Sequence, residues 1–364
     1  MRNVQVVLAI LLVGVLAAPS SGAAPASPSE QEMTPYLTPQ HVVQVGKGRT
    51  INLVCLGRGS PTVILSAGLD AWSVWWWAVQ PTLAKRTRVC SWDRAGYGFS
   101  GPSPDPQDIV HTTADLERAL ARGGVRGPYV LVGHSLGGYE SLRFADLHRQ
   151  SVVGMVLVDP DIPDRAAVEE RIAPQFAAVA RASGEQSVKQ LQDCAAQLRG
   201  GKLTRSTAQF EECTAIAAPL DPRLKADIAR LNADPARLLT QASLENEHYT
   251  DSREVMNAQR RYGDMPLIVL TAGRDESSAL SGIPPGTPGT STPAELAQLP
   301  KQIALFLRDA WGPAHDAYAA LSSRGRNQLV ADSGHNIPIN KPEVVTAAII
   351  EILDESHPSP PHAP

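Results

Sequence analysis

Gly133-His134-Ser135-Leu136-Gly137-Gly138 directly follows the apolar run Tyr129 to Val132 and directly precedes a stretch with helical spacing. A serine flanked by glycines between a strand and a helix marks a sharp turn that lifts the hydroxyl to the carboxyl edge of a sheet. Such a turn forces Ser135 into a strained backbone conformation, and glycines on either side let neighbouring backbones pass without Cβ clashes. The helix that begins under the hydroxyl turns its N-terminus, and so its positive dipole end, toward negative charge developing there. The five-residue pattern alone is weak; its placement between strand and helix gives it weight.

A serine nucleophile needs a base, and the base needs a carboxylate to hold its tautomer. Among nine histidines, His335 lies in Asp-Ser-Gly-His-Asn-Ile-Pro, just past the last strand pattern and just before the last helix, so it falls at the same sheet edge as Ser135. His134 adjoins the serine and points to the opposite side, to pack beneath the turn or reach the pocket wall. His248 falls in a helical stretch and is expected at the surface. The acid should close a strand between Ser135 and His335 in chain order. Asp275, at the end of Leu-Ile-Val-Leu-Thr-Ala-Gly-Arg-Asp, is the expected acid. Its rival is Asp159 after Met-Val-Leu-Val, or Asp161 just beyond; Asp159 before Pro160 is also explained as a strand-ending turn residue. The tetrahedral intermediate needs two backbone N–H donors, expected from Leu136 and from Leu69 in Ser66-Ala67-Gly68-Leu69-Asp70, where Gly68 lets the backbone approach a ligand.

These residues must be carried by a sheet. Strands are expected at His41–Val45, Thr50–Leu56, Pro61–Ala67, Thr87–Trp92, Tyr129–Gly133, Val152–Val158, Pro266–Ala272 and Asn327–Ala331. Helices are expected near Ile109–Gly123, Leu136–Arg149 and Pro342–Asp354. Strands alternating with helices after an initial hairpin predict an α/β fold, a mainly parallel eight-stranded sheet with helices on both faces. Residues 162–262 are rich in Ala, Arg, Gln, Glu and Leu at helical spacing with no strand run, and read as an inserted helical cap. The organisation is therefore a core at 41–161 and 263–356 interrupted by a cap at 162–262. A Pro/Ser/Thr-rich leader (27–40), a Pro/Gly/Thr-rich loop (282–293) and a tail (357–364) lack such periodicity.

The 364 residues carry 33 Lys and Arg against 37 Asp and Glu, so no basic surplus points to nucleic acid or an anionic membrane. Residues 1–26 have the form of a secretory signal peptide: Arg2, an apolar run from Val4 to Ala18 too short to span a bilayer, and Ala24-Pro25-Ala26 as a cleavage site. A secreted protein without a stable membrane anchor follows as the expectation. Cys55, Cys90, Cys194 and Cys213 make an even set in an exported chain, and two disulfides are expected, with three pairings open. No cofactor motif or metal-ligand cluster is evident, and nothing sets the oligomeric state.

The chain resembles the α/β-hydrolase superfamily, in its esterase-like and lipase-like branch with a helical cap. The resemblance spans roughly His41 to Asp354. It rests on Ser-Ala-Gly-Leu-Asp, Trp-Asp-Arg-Ala-Gly-Tyr-Gly-Phe-Ser (Trp92 to Ser100), Gly-His-Ser-Leu-Gly-Gly, Gly-Arg-Asp and Ser-Gly-His in the family's order. One departure is Ala67-Gly68, where many members carry His-Gly; because the donor there is a backbone amide, the loop's shape is affected more than its role. The family's strand order makes the second and fourth strands neighbours, which implies a Cys55–Cys90 bridge and leaves Cys194 to pair with Cys213 in the cap. Four of six tryptophans fall between Trp72 and Trp77. Three in a row spread over about 200° of a helix, so most should pack in the core, with Trp72 or Trp75 lining a pocket beside Leu69. The resemblance implies hydrolysis of a small or medium apolar carboxylic ester through an acyl-Ser135 intermediate. Amide, thioester or carbon–carbon hydrolysis, cofactor-free haloperoxidation, or a non-catalytic binding role on the same fold are the alternatives.

Overall fold

Valine, isoleucine and leucine dominate the central strands of this chain because both faces of its sheet are covered. A computed structural model describes residues 29–215, 220–250, 257–273 and 293–356. The strands are β1 (His41–Gly46), β2 (Arg49–Leu56), β3 (Thr62–Ser66), β4 (Val89–Trp92), β5 (Tyr129–His134), β6 (Val152–Val158), β7 (Leu267–Ala272) and β8 (Gly325–Val330). They form one sheet in the order β1-β2-β4-β3-β5-β6-β7-β8. β3 to β8 run parallel, and β2 runs against both its neighbours. Every residue of β3 and β7 is buried, whereas the edge strand β8 alternates and exposes Leu329.

The helices before Ser135 are α1 (Glu30–Met33), α2 (Gln80–Leu83) and α3 (Ile109–Arg122), and α4 (Leu136–Leu147) follows it directly. α3 starts at Asp108, whose side chain accepts from the His111 N–H, and stops at Gly123. Strand periodicity splits the core in two. Leu131, Met155 and Val269 pack with Leu116 and Leu142 on one face, and Val130, Val132, Val156 and Leu270 pack with Leu83, Trp76 and Ile349 on the other.

Between β6 and β7 the described residues hold no strand. They form α5 (Arg165–Ile172), α6 (Pro174–Arg199), α7 (Ala208–Thr214), α8 (Pro222–Asn232) and α9 (Pro235–Thr250). α9 is laid on the loop after β4: Arg237 Nη2 donates to Gly98 O at 2.9 Å and Gln241 Nε2 to Gly96 O at 2.7 Å. Both disulfides are present as paired above. Cys55 and Cys90 face each other in the β2–β4 register with Cα atoms 4.0 Å apart, and Cys194–Cys213 joins α6 to α7 at 5.6 Å.

Residues 294–326 receive no element from the sequence pattern before β8, yet they contribute α10 (Pro293–Phe306), a π-helical turn (Leu307–Trp311) and α11 (Gly312–Ala319). Pro300 inside α10 and Gly312-Pro313 between the two helices are breaker signals that mask their periodicity. α12 (Ile337–Asn340) and α13 (Pro342–Ser356) complete the chain. No helix among the described residues is long and apolar enough to cross a membrane. Residues 1–26, the loop 282–293 up to residue 292, the tail 357–364 and Asp275 lie outside the described residues.

Candidate active site

Ser135 joins β5 to α4 with φ 51° and ψ −122°, a conformation that a residue bearing a Cβ adopts only when its surroundings hold it there. They do. Its N–H donates to Val158 O at 3.1 Å, and its carbonyl accepts from Gly138 N at 2.8 Å and Asp161 N at 3.3 Å. The flanking glycines are required by close approach: a Cβ on Gly133 would stand 2.2 Å from the Gly137 carbonyl oxygen, and one on Gly137 would stand 2.3 Å from that of Ser66. Ser135 is 7% exposed, at the mouth of the turn and above the first residue of α4.

His335 follows β8 on the loop leading into α12, and His134 ties that loop to the turn at Ser135. The His134 Nε2–H donates to His335 O at 2.9 Å, with ring centroids 4.8 Å apart. His134 is thus buried beneath the turn, holding the His335 backbone. His335 Nδ1 lies 2.6 Å from Asp159 Oδ2. Asp159 ends β6 at φ 42° and is wholly buried. Its other oxygen, Oδ1, accepts from Ala272 N at 3.0 Å and from Trp311 Nε1 at 2.9 Å. His315 packs beside it, linked to Pro160 O and Thr271 Oγ1 at 2.8 Å each, with Nδ1 4.0 Å from Asp159 Oδ1. Among the described residues the carboxylate brought to His335 is therefore that of Asp159, the rival in the sequence reading. Trp311 and His315, which support it, were not singled out because their helices are masked by breakers.

The loop after β3 lies against Ser135: a Cβ on Gly68 would stand 3.2 Å from Ser135 Cβ and 3.0 Å from His134 Nδ1. Leu136, the first residue of α4, has no carbonyl one turn earlier to receive its N–H. Beneath the loop lies an ion pair that sequence reasoning passed over, although Arg94 sits inside the Trp92 to Ser100 motif. Arg94 and Glu140 are 2% and 0% exposed and pair bidentately, Nε to Oε1 and Nη2 to Oε2, both at 2.7 Å.

Beside Leu136 is a recess of about 220 Å³, counting its open mouth, lined by Gln107, Ile109, Tyr139, Leu244 and His248 among others. The four pocket candidates are not part of this recess. Trp72 is buried in the core against the loop after β4, Trp75 is half-buried in a 3-10 turn, and Gly68 and His134 form the floor under Ser135. His248 also departs from expectation: its side chain is 5% exposed, and its Nε2 lies 3.1 Å from Asp161 Oδ2. Burial would raise the Asp161 pKa, but Arg165 and His248 outweigh burial and hold it below the usual carboxylate range. α9 carries a second buried acid, Glu245. Burial, with Asp70 beside it, pushes its pKa well above the ordinary value, while Tyr97 donates to Asp70 Oδ1 at 3.1 Å. No cluster of three or more potential metal ligands occurs among the described residues.

The fold has counterparts among known proteins. The family model described as "alpha/beta hydrolase fold" matches residues 61–283, more than half of the chain. The chain belongs to this family. An AB hydrolase superfamily protein of Gibberella zeae is 38% identical over 103 residues, which are 27% of this chain and 32% of that protein. The matches span less than half the length of the curated relatives. Among solved structures, an esterase from Thermogutta terrifontis superposes with a TM-score of 0.50 at 22% identity, covering 85% of this chain and 95% of the esterase. The epoxide hydrolase CorEH gives 0.53 at 17%, covering 87% and 99%. At these identities the structural likenesses show the shared fold.

Proposed function

We propose that this α/β-hydrolase is a secreted serine hydrolase that cleaves small or medium apolar carboxylic esters. Ser135 is the nucleophile, His335 the base and Asp159 the acid. The observation that carries the reading is the 2.6 Å contact of His335 Nδ1 with the buried Asp159 carboxylate, beside a serine held at positive φ. Asp159 fixes the imidazole with Nδ1 protonated and leaves Nε2 to take the Ser135 proton. Ser135 Oγ then bonds to the ester carbonyl carbon, and the oxyanion is received by the N–H groups of Leu69 and Leu136. The imidazolium returns its proton to the leaving alcohol. Water, activated by His335, attacks the acyl-serine and releases the acid. The helices between β6 and β7 act as the cap that shapes access to Ser135.

The two disulfides and the apolar N-terminal run support export. A fluorophosphonate probe tests the nucleophile. Wild type should label and should hydrolyse chromogenic esters graded by acyl length, and Ser135→Ala should do neither. Absence of labelling in folded wild-type protein overturns the reading.

A further inference from the structure

The Arg94 guanidinium does more than pair with Glu140. Nη1 donates to Gly68 O at 2.8 Å and is 3.5 Å from Ala71 O, and Nη2 donates to Ala67 O at 2.5 Å. With the two bonds to Glu140, all five N–H groups of the guanidinium have acceptors. The Gly68 carbonyl belongs to the same peptide plane as the Leu69 N–H, and in a trans peptide the two point in opposite directions. Holding Gly68 O against Arg94 therefore turns the Leu69 N–H away from the guanidinium. The loop at this point lies against Ser135, where a Gly68 Cβ would come within 3.2 Å of Ser135 Cβ. Glu140 sits on α4, the helix whose first residue is Leu136. One side chain thus links the loop that carries Leu69 to the helix that carries Leu136.

We propose that Arg94, held by Glu140, is a positioning residue that fixes the Gly68–Leu69 peptide so that the Leu69 and Leu136 N–H groups converge on one oxyanion. This rests on the serine-hydrolase reading and on Leu69 as a donor. Five directed N–H bonds in one plane require arginine, since lysine has three donors and no fork. The competing explanation is a pair that merely stabilises the fold.

The test replaces the whole pair with apolar residues of similar size, Arg94→Met with Glu140→Leu, because a single replacement would strand a buried charge. The readouts are thermal unfolding, kcat and KM on a 4-nitrophenyl ester, and inhibition by a trifluoromethyl ketone, whose hemiketal oxygen occupies the oxyanion position. A folded double variant should lose about 10²-fold or more in kcat, the typical effect of losing one oxyanion donor. KM should change little, and the ketone should weaken by the same factor as kcat/KM. A folded double variant with wild-type kcat overturns the proposal. If it does not fold, Arg94→Lys decides: a kcat loss with KM unchanged supports positioning, and wild-type kcat overturns it. Failure of both variants to fold marks the pair as structural and overturns the proposal as well. Wild-type protein that neither reacts with the fluorophosphonate nor hydrolyses the ester overturns the hydrolase reading, and this proposal with it.

Discussion

Asp159→Asn isolates the role of the acid, because the structure dictates how the asparagine must sit. Asp159 Oδ1 accepts two N–H groups, from Ala272 and Trp311, so the amide oxygen must take that position. The amide nitrogen is then forced into the place of Oδ2, 2.6 Å from His335 Nδ1. An NH₂ group there demands an acceptor, which selects the tautomer with Nδ1 bare and the proton on Nε2. That imidazole cannot accept the Ser135 proton. When a triad aspartate is exchanged in this way, kcat falls by about 10⁴, or roughly 5.4 kcal/mol at 1.36 kcal/mol per factor of ten. Because two of the three donors keep their partner and the volume is unchanged, thermal unfolding should shift little. The assay is kcat on a chromogenic ester near pH 8 for wild type, Asp159→Asn and Asp275→Asn. Asp275→Asn should retain activity within about tenfold, that is, lose less than about 1.4 kcal/mol of transition-state stabilisation. An Asp159→Asn protein of near wild-type kcat beside a crippled Asp275→Asn would refute the reasoning and return the acid to Asp275.

Glu245→Gln tests the buried acid of α9. A carboxyl group whose folded pKa is raised contributes stability that is fully present below its unfolded pKa of about 4.3 and is lost as pH rises toward the folded value. The variant lacks that loss, so its Tm advantage over wild type should be near zero at pH 4 and grow toward pH 8; a pH-independent difference would contradict it. Replacing Cys194 and Cys213 with serine opens a loop of sequence separation 19. On a chain-entropy argument this costs roughly 3 kcal/mol of stability in the segment between β6 and β7, measurable by denaturant titration, and no change would argue against it. Activity should rise with pH as the base becomes neutral and then level off, and a profile that falls monotonically with rising pH would argue against a histidine base. EDTA should leave kcat/KM unchanged, and loss of activity restored by zinc would count against the mechanism.

The sequence by itself determined the sheet and the sharp turn at Ser135. Apolar runs such as Val152–Val158 and Leu267–Ala272 can be satisfied only between two covered faces. Gly133 has a local cause, because a Cβ there would meet the Gly137 carbonyl, whereas Gly137 is required by Ser66 at the end of β3. Even the cysteine pairing followed once the strand order was known, because Cys55 and Cys90 occupy facing register positions. The acid was not legible in this way. In the sequence pattern Asp159 and Asp275 each follow a strand after the serine, and the place of Asp159 against His335 depends on donors that arrive from far along the chain. Ala272 comes from the next strand, and Trp311 comes from a π-helical turn hidden between Pro300 and Gly312. The same holds for Arg94, whose contacts with Ala67, Gly68 and Glu140 cross two sheet connections and a helix. Hydrophobic periodicity is a property of neighbours, whereas the satisfaction of a buried charge is a property of whatever the tertiary fold brings within 3 Å. That is why the positions of Ser135 and His335 could be read along the chain, and their supporting shell only in space.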